Sequence, residues 1–411
     1  MAVRPLRLEE LAEVLAFDFD KAPESIPSSN ADRPREDQER AVLTTFSSLI
    51  TMIPDGDSWV VQFSHFSVKE FLTSDRLTIP AEDIPFYHIA PTPAHTILAL
   101  ACIGVLLRLD DSTREAFVQK FPLAEYALEH WVDHALFENV SPRIKDGIDD
   151  LFDVEKPHFS RWIRVRGDMD GAYPWQDRDM QCEAAPMYYA AFCGFHDVIE
   201  RLIREHPEHV ITRGGSLGTA LHAASRMNRL KVIQSLLGHG ADVNSPGMWG
   251  RTPLLFASEC GSLEAARWLL EHGADVNAKD AHDDWTSLHL AARAGHFEVF
   301  RTLLEHNADT NAQDDCKRTP LHLASIHGRV GIARLLLDHG ADPMARDKHL
   351  ETSLHKASSS GNLDIARLLV EHGTDVDAEN KWGRTAYQIA FNGRREEVAQ
   401  FLSAHGAESR T

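Results

Sequence analysis

The chain has 411 residues, with 62 acidic and 42 basic side chains and a formal net charge of −20. A surface this acidic is repelled by phosphate backbones and anionic bilayers, which sets aside nucleic-acid binding and membrane docking as main activities. Cys102, Cys182, Cys193, Cys260 and Cys316 are odd in number and contain no Cys-x-x-Cys. That is the pattern of reduced thiols in a cytoplasmic protein, with the nucleus as the alternative, rather than of a disulfide framework.

Residues 1–78 read as a first unit. The apolar positions Leu6, Leu8, Leu11, Val14, Leu15 and Phe17 predict an amphipathic helix. Lys21 to Arg40, rich in Pro, Ser and charge, reads as a loop, and Glu36 to Ser48 as a helix. Leu49–Ile53 and Trp59–Phe63 flank Pro54-Asp-Gly-Asp57, a strong hairpin signal, and Ser67–Leu72 reads as a short helix. Helices followed by a two-stranded wing fit a small winged-helix-like α+β module.

Residues 79–184 read as a helical connector. One helix runs from Pro91 to about Leu109 and contains the longest apolar run, Ile97 to Leu107. That run is too short to span a bilayer and predicts a buried helix. Further helices are expected at Pro122–His134, Asp146–Phe152 and His158–Val165, and residues 167–184 form a polar join. His130 and His134 stand one helical turn apart, as metal ligands can. Trp-Val-Asp lies between them, however, so the Glu of a His-Glu-x-x-His motif is missing and a packing role is the better reading.

From Ala185 onward one phrase recurs: Thr219-Ala-Leu-His222, Thr252-Pro-Leu-Leu255, Thr286-Ser-Leu-His289, Thr319-Pro-Leu-His322, Thr352-Ser-Leu-His355 and Thr385-Ala-Tyr-Gln388. A degenerate first copy reads Ala185-Pro-Met-Tyr188, and the copies follow each other at 33 or 34 residues. A fixed period of this length means stacked supersecondary units. The Thr suits an N-cap, and Pro253 and Pro320 suit the first helical position. An Ala recurs five residues after each start (190, 224, 257, 291, 324, 357, 390), where a small side chain lets helices approach. A Leu recurs seventeen residues after it (202, 236, 269, 303, 336, 369, 402), on the buried face of a second helix. Gly261, Gly295, Gly328 and Gly361, with Asn228 as a substitute, are expected to end the first helices. The last copy has a short first helix and a polar second one around Arg394-Arg-Glu-Glu397, as a terminal cap requires.

This pattern resembles the ankyrin repeat family, with seven copies over residues 185–411. The resemblance implies a mainly α fold, an ankyrin-repeat solenoid, and a repeat His that hydrogen-bonds around the Thr and the following hairpin. A second resemblance rests on Arg4-Pro-Leu-Arg-Leu-Glu-Glu-Leu11, Ser47-Ser-Leu-Ile50 and Phe63-Ser-His-Phe-Ser-Val-Lys-Glu-Phe-Leu72. These stretches are similar to the region after the ATPase in fungal NACHT–ankyrin proteins. The chain carries no Gly-x-x-x-x-Gly-Lys-[Ser/Thr] loop. This resemblance implies the alternative to a stand-alone adaptor: a sensor or regulatory fragment of a NACHT-type signalling ATPase, with that ATPase in cis or in trans as a further partner.

No constellation supports an enzyme. There is no Gly-x-Ser-x-Gly elbow, and the acidic pairs beginning at Asp110, Asp149, Asp283 and Asp314 read as solvated turn residues. Neither metal nor cofactor is expected. Cys316, at a hairpin tip, is a candidate reactive thiol, though packing is the simpler reading. What remains is recognition of another, unidentified protein through the hairpin tips and the concave helix face. The tips carry Trp249 and Trp382 just before Gly250 and Gly383, and Trp285, Arg251, Arg318 and Arg384 just before their Thr. Lys317, His349 and Leu350 fill other tip positions. Trp and Arg dominate interface hot spots, which makes these nine the candidate binding residues. Arg226, Met227, Glu259, Arg293, His327 and Ser359 are secondary candidates on the concave face.

Overall fold

Each repeat Thr heads a helix in the computed structural model, which describes residues 50–55, 58–63, 91–166 (except 112, 122, 138 and 139) and 185–405. The chain divides into two compact units, Met1–Pro186 and Met187–Thr411. They are described separately.

In the first unit, β1 (Ile50–Asp55) and β2 (Ser58–Phe63) pair antiparallel, in register from Ile50↔Phe63 to Asp55↔Ser58. The hairpin signal around Pro54–Asp57 therefore located a real pairing. The winged-helix-like α+β module built on it does not stand. Among the described residues, 1–78 contribute this ribbon and no helix, and everything after it is helical. Turn chemistry fixes local pairing only, and a lone two-stranded ribbon is not a fold. The fold class is accordingly mainly α, with no winged-helix module among the described residues. The helices expected at Leu6–Phe17, Glu36–Ser48 and Ser67–Leu72, the loop at 21–40 and the join at 167–184 lie outside the described residues.

Five helices follow: α1 (Pro91–Leu106), α2 (Arg114–Lys120), α3 (Ala124–Ala135), α4 (Lys145–Leu151) and α5 (His158–Arg166). Helix α1 buries Ala99, Ala101, Cys102, Ile103, Val105 and Leu106, and so is apolar nearly all round, as a central helix must be. It packs against α3 and α4, and Gly147 permits the second contact, since a Cβ there would sit 2.9 Å from Ile103 Cγ2. Trp131, Phe152, Phe159 and Trp162 interlock edge to face, with the two indoles 5.4 Å apart. Helix α2 had no apolar period to reveal it. It is capped by Thr113, whose Oγ1 accepts the Ala116 N–H, and Phe117 is its buried residue. His134 is buried with both ring nitrogens engaged, Nε2 2.7 Å from the Tyr126 hydroxyl and Nδ1 2.7 Å from His95 Nδ1. Burial pushes its pKa down to about 4. His130 lies 3.5 Å from the Asp133 carboxylate, and its ring shares Tyr126 with His134.

The second unit is a run of helix pairs. They are α6 (Ala185–Cys193) with α7 (His196–Glu205), α8 (Ala220–Arg226) with α9 (Leu230–Gly238), and α10 (Pro253–Cys260) with α11 (Leu263–Glu271). Next come α12 (Ser287–Ala294) with α13 (Phe297–Glu305), and α14 (Pro320–Ile326) with α15 (Val330–Asp338). The run ends with α16 (Ser353–Ser360) and α17 (Leu363–Glu371), then α18 (Ala386–Asn392) and α19 (Glu396–Ala404). Every member of the Ala column and of the Leu column is fully buried. From α8 to α18, successive first helices pack directly on one another across the Ala column. No pair covers its own apolar face, so the core is a continuous stripe shared between neighbours. Asn228 takes the left-handed conformation (φ +55°) that Gly261 takes (φ +73°) at the end of the preceding or following first helix. The final helix buries Val398, Ala399 and Leu402 and leaves its polar face to solvent.

The repeat His completes each helix start. Thr219, Thr286, Thr319 and Thr352 donate their backbone N–H to Nδ1 of His222, His289, His322 and His355 at 3.1–3.2 Å. An Nδ1 that accepts leaves the proton on Nε2, which donates across to the carbonyl of Ser245, Arg318, Glu351 or Arg384. Each imidazole thus ties a helix N-terminus to the hairpin that precedes the next repeat. Burial lowers all four pKa values, to about 4 for His222 and His322.

Candidate functional site: the hairpin tips

Four of the hairpins between successive repeats are each built around one buried acceptor; the hairpin of Trp249, with Gly247 at that position, is closed by backbone bonds alone. Asp280, Asp314, Asp347 and Asn380 are all buried. Their Oδ1 atoms accept two backbone N–H groups each: Asp283 and Trp285, Cys316 and Arg318, His349 and Glu351, and Trp382 and Arg384, at 2.7–3.2 Å. The turn is held from inside, and side chains at its apex are left facing outward. Neighbouring tips are stitched by single backbone bonds, Ala281 N–H to Trp249 O (2.7 Å), Asp315 to Asp283, Lys348 to Cys316 and Lys381 to His349 (each 2.9 Å). The tips therefore form one continuous ladder. Asp314, expected as a solvated turn residue, is buried because it is this internal acceptor.

The nine candidate residues divide by their place in that frame. Arg251 is only 6% exposed and is internal: its guanidinium reaches forward to Asp280 (Nε, 3.2 Å) and along its own repeat to Glu259 (2.9 Å). Trp285 is 8% exposed, donates Nε1–H to Asp314 at 3.2 Å, and is faced by the Arg293 guanidinium at 5.2 Å. Arg318 is half-buried, bound to Asp314 at 2.7 Å. These three join one tip to its neighbours or hold its own turn. Trp249, Lys317, His349, Leu350, Trp382 and Arg384 are at the surface.

Two exposed clusters result. At one, Trp249 (41% exposed) is covered by the Arg251 guanidinium at 5.2 Å and lies 6.2 Å from the His282 ring. At the other, Trp382 (56% exposed) stacks on His349 at 5.3 Å and 28°, with the Lys381 ammonium 4.5 Å above its ring. Lys381 also donates to His349 Nδ1. Leu350, 45% exposed, stands beside His349 with φ +57°, a left-handed conformation that a Leu adopts only at a cost of roughly 1–2 kcal/mol. Gly250 and Gly383 hold the equivalent position in other copies.

On the concave face, Glu259 is committed to Arg251 and Arg293 to the Trp285 ring, while His327 and Ser359 are exposed and Arg226 and Met227 half-buried. The His327 pKa is lowered by burial first and then by Arg293, Arg329 and Arg318, which marks a cationic stretch. Cys316 is not an activated thiol. Its hydrogen bond to the Asp315 carboxylate and partial burial push its pKa up, which suppresses the thiolate. Sequence reasoning passed over the buried acceptors and also Lys348, Lys356 and Lys381. Lys356 bridges Asp347 and Glu351 at 2.6 Å each, taking the place of a pre-Thr Arg in a copy that has Glu351 instead.

Residues 187–280 and 280–347 match the family model described as ankyrin repeats (3 copies), and residues 336–390 match that described as ankyrin repeats (many copies). This part of the chain is an ankyrin-repeat array. Ankyrin repeats are a non-catalytic scaffold that mediates protein–protein contacts, and the array is of that kind. A Monascus ruber protein, azaphilone pigments biosynthesis cluster protein L, is 30% identical over 261 residues, 59% of this chain and 54% of its own length. Alpha-latrocrustotoxin-Lt1a and alpha-latroinsectotoxin-Lt1a of Latrodectus tredecimguttatus are 35% and 38% identical over 74 residues, 18% of this chain and 5% of theirs. The chain spans about half the length of the fungal relative and a small part of the toxins. None of these matches identifies a binding partner, a NACHT ATPase included.

Proposed function

We propose that the chain is a non-enzymatic adaptor that holds a protein ligand on the exposed hairpin tips and the adjoining concave face. The observation that carries this is the pair of large, exposed indoles, Trp249 and Trp382, on tips whose backbones are fixed by hydrogen bonds, by Asn380 beneath Trp382 and by Gly247 N–H to Arg251 O and Met248 N–H to Leu217 O around Trp249. Rigid aromatic anchors on a preorganised ladder are what a protein-binding surface requires. The cytoplasm suits this role, since Cys102, Cys193, Cys260 and Cys316 are free thiols.

The test compares the tagged chain with its Trp249→Ala/Trp382→Ala variant in affinity capture from the source cells. Circular dichroism monitors folding. The expected result is loss of the captured partner with the helical spectrum intact. Undiminished capture by the folded double variant rejects the tip assignment.

A further inference from the structure

The tip ladder changes character along its length. Around Trp249 the next tip presents Asp283 and Asp284. The last three tips instead expose Lys317, Lys348, Lys381 and Arg384 against two acids, Asp315 and Glu379, in a chain whose net charge is −20. Lys348 is 3.9 Å from Asp315, an exposed and energetically weak pair whose ammonium can be shared with a partner. Lys381 rests on the Trp382 ring and on the neutral side of His349 rather than on a carboxylate. Within this cationic field sit two exposed apolar side chains, the indole of Trp382 and the left-handed Leu350.

We propose that the tips spanning Lys317 to Arg384 form a docking site for an acidic peptide segment carrying apolar anchors. Carboxylates would face Lys317, Lys348 and Lys381, and an apolar side chain would lie across Leu350 and the open face of Trp382. Charge complementarity selects the occupant: a basic segment meets a field of its own sign here, and the chain's overall acidity disfavours a nucleic acid. Arg293 and Arg329, both close enough to act on His327, add positive charge on the concave face. This inference rests on the adaptor reading given above and narrows its partner to a chemical class and to one end of the array.

The test uses the full chain and three fluorescein-labelled probes read by anisotropy: a short peptide alternating Glu with Leu, the same peptide with Lys for Glu, and a thymidine oligonucleotide of matched length. The Glu/Leu peptide is expected to bind. Its affinity is expected to fall at least ~10-fold in Lys348→Glu/Lys381→Glu and in Trp382→Ala, and also on raising salt from ~0.05 to ~0.5 M. Trp249→Ala, at the other cluster, should stay within about two-fold. Equal binding of the Lys/Leu peptide, equal or tighter binding of the oligonucleotide, or no effect of the charge reversals overturns the proposal. No preference for the acidic probe, together with capture that still depends on the two indoles, removes this assignment alone and leaves the adaptor reading in place. Acidic-peptide binding with capture that ignores the indoles does the reverse.

Discussion

Acid should weaken this array in a particular window, and the histidines of the repeat say by how much. His322 is fully buried, accepts the Thr319 N–H on Nδ1 at 3.1 Å and donates Nε2–H to the Glu351 carbonyl at 3.0 Å. Protonating Nδ1 would break the first bond and place a charge in a desolvated site. Burial is the main reason its pKa falls to about 4; the Glu351 carbonyl and the Asp347 and Asp314 carboxylates pull it up and Lys356 pulls it down, all less strongly. In the unfolded chain the same ring titrates near ~6.5. Between those values the unfolded state binds more protons than the folded one. The stabilisation is therefore complete above the unfolded pKa and is lost as pH falls from about 6.5 towards about 4. At pH 5 the loss from this one residue is roughly 2 kcal/mol, approaching about 3 kcal/mol at lower pH.

The last repeat supplies the control substitution. There Gln388 Oε1 accepts the Thr385 N–H at 3.1 Å, so an amide can occupy the position without titrating. His322→Gln is expected to lie within ~1 kcal/mol of the parent near pH 8 and to lose roughly 2 kcal/mol less than the parent on going to pH 5. Urea unfolding followed by circular dichroism at the two pH values, with equal m-values, reads the difference; amide exchange at Thr319 reads it locally if the array unfolds in parts. A variant that loses as much stability as the parent between these pH values refutes the picture of a neutral, doubly bonded imidazole.

Three further outcomes follow from the tips and the partner surface. Leu350→Gly should raise stability by up to ~1 kcal/mol, because it relieves a left-handed Leu at a position that Gly250 and Gly383 fill elsewhere, and should weaken partner capture; urea midpoints and capture read the two effects. Asp347→Ala should lower stability by roughly 3 kcal/mol, since it orphans the His349 and Glu351 N–H groups and removes a carboxylate from the buried side of Lys356, whereas Asp347→Asn should lose less, as Asn380 does the same turn-holding in the last tip. The Trp249→Ala/Trp382→Ala variant should keep its helical spectrum, because both indoles are at the surface, and any loss of fold on this change would mean that the tips stabilise the ladder rather than serve a partner.

The repeat was legible because its signals are local and periodic. A cap, a small residue and a Leu recur at fixed offsets, and each offset has a steric or hydrogen-bonding reason that neighbours do not alter. The helices of the connector were legible for a similar reason, apart from α2, whose single buried Phe117 gives no period. The winged-helix-like module was a misreading. A strong turn signal between two β-rich runs establishes a ribbon, and nothing in the turn says what packs on it.

The tips show where sequence reading reaches its limit. Arg251, Trp285, Arg318, Glu351 and Arg384 occupy one column, and composition alone marks four of them as hot-spot residues. Their fates differ because that column's side chains extend along the stack, and what they meet is the acceptor set into the next tip or their own. Arg251 finds Asp280 and is buried; Trp285 finds Asp314 and is buried; Glu351 meets the amide of Asn380 at 3.0 Å. The column of acceptors was itself visible, since Asp314, Asp347 and Asn380 recur at the repeat spacing and Asp280 precedes a tip one residue longer. Reading the two columns against each other would have picked out the joining residues: a donor just before the Thr, with a carboxylate in the following tip, is internal glue. The apex column, with Trp249, His349 and Trp382, stands outside these acceptor pairs. Its side chains consequently end at the surface, and that is where a partner can reach them.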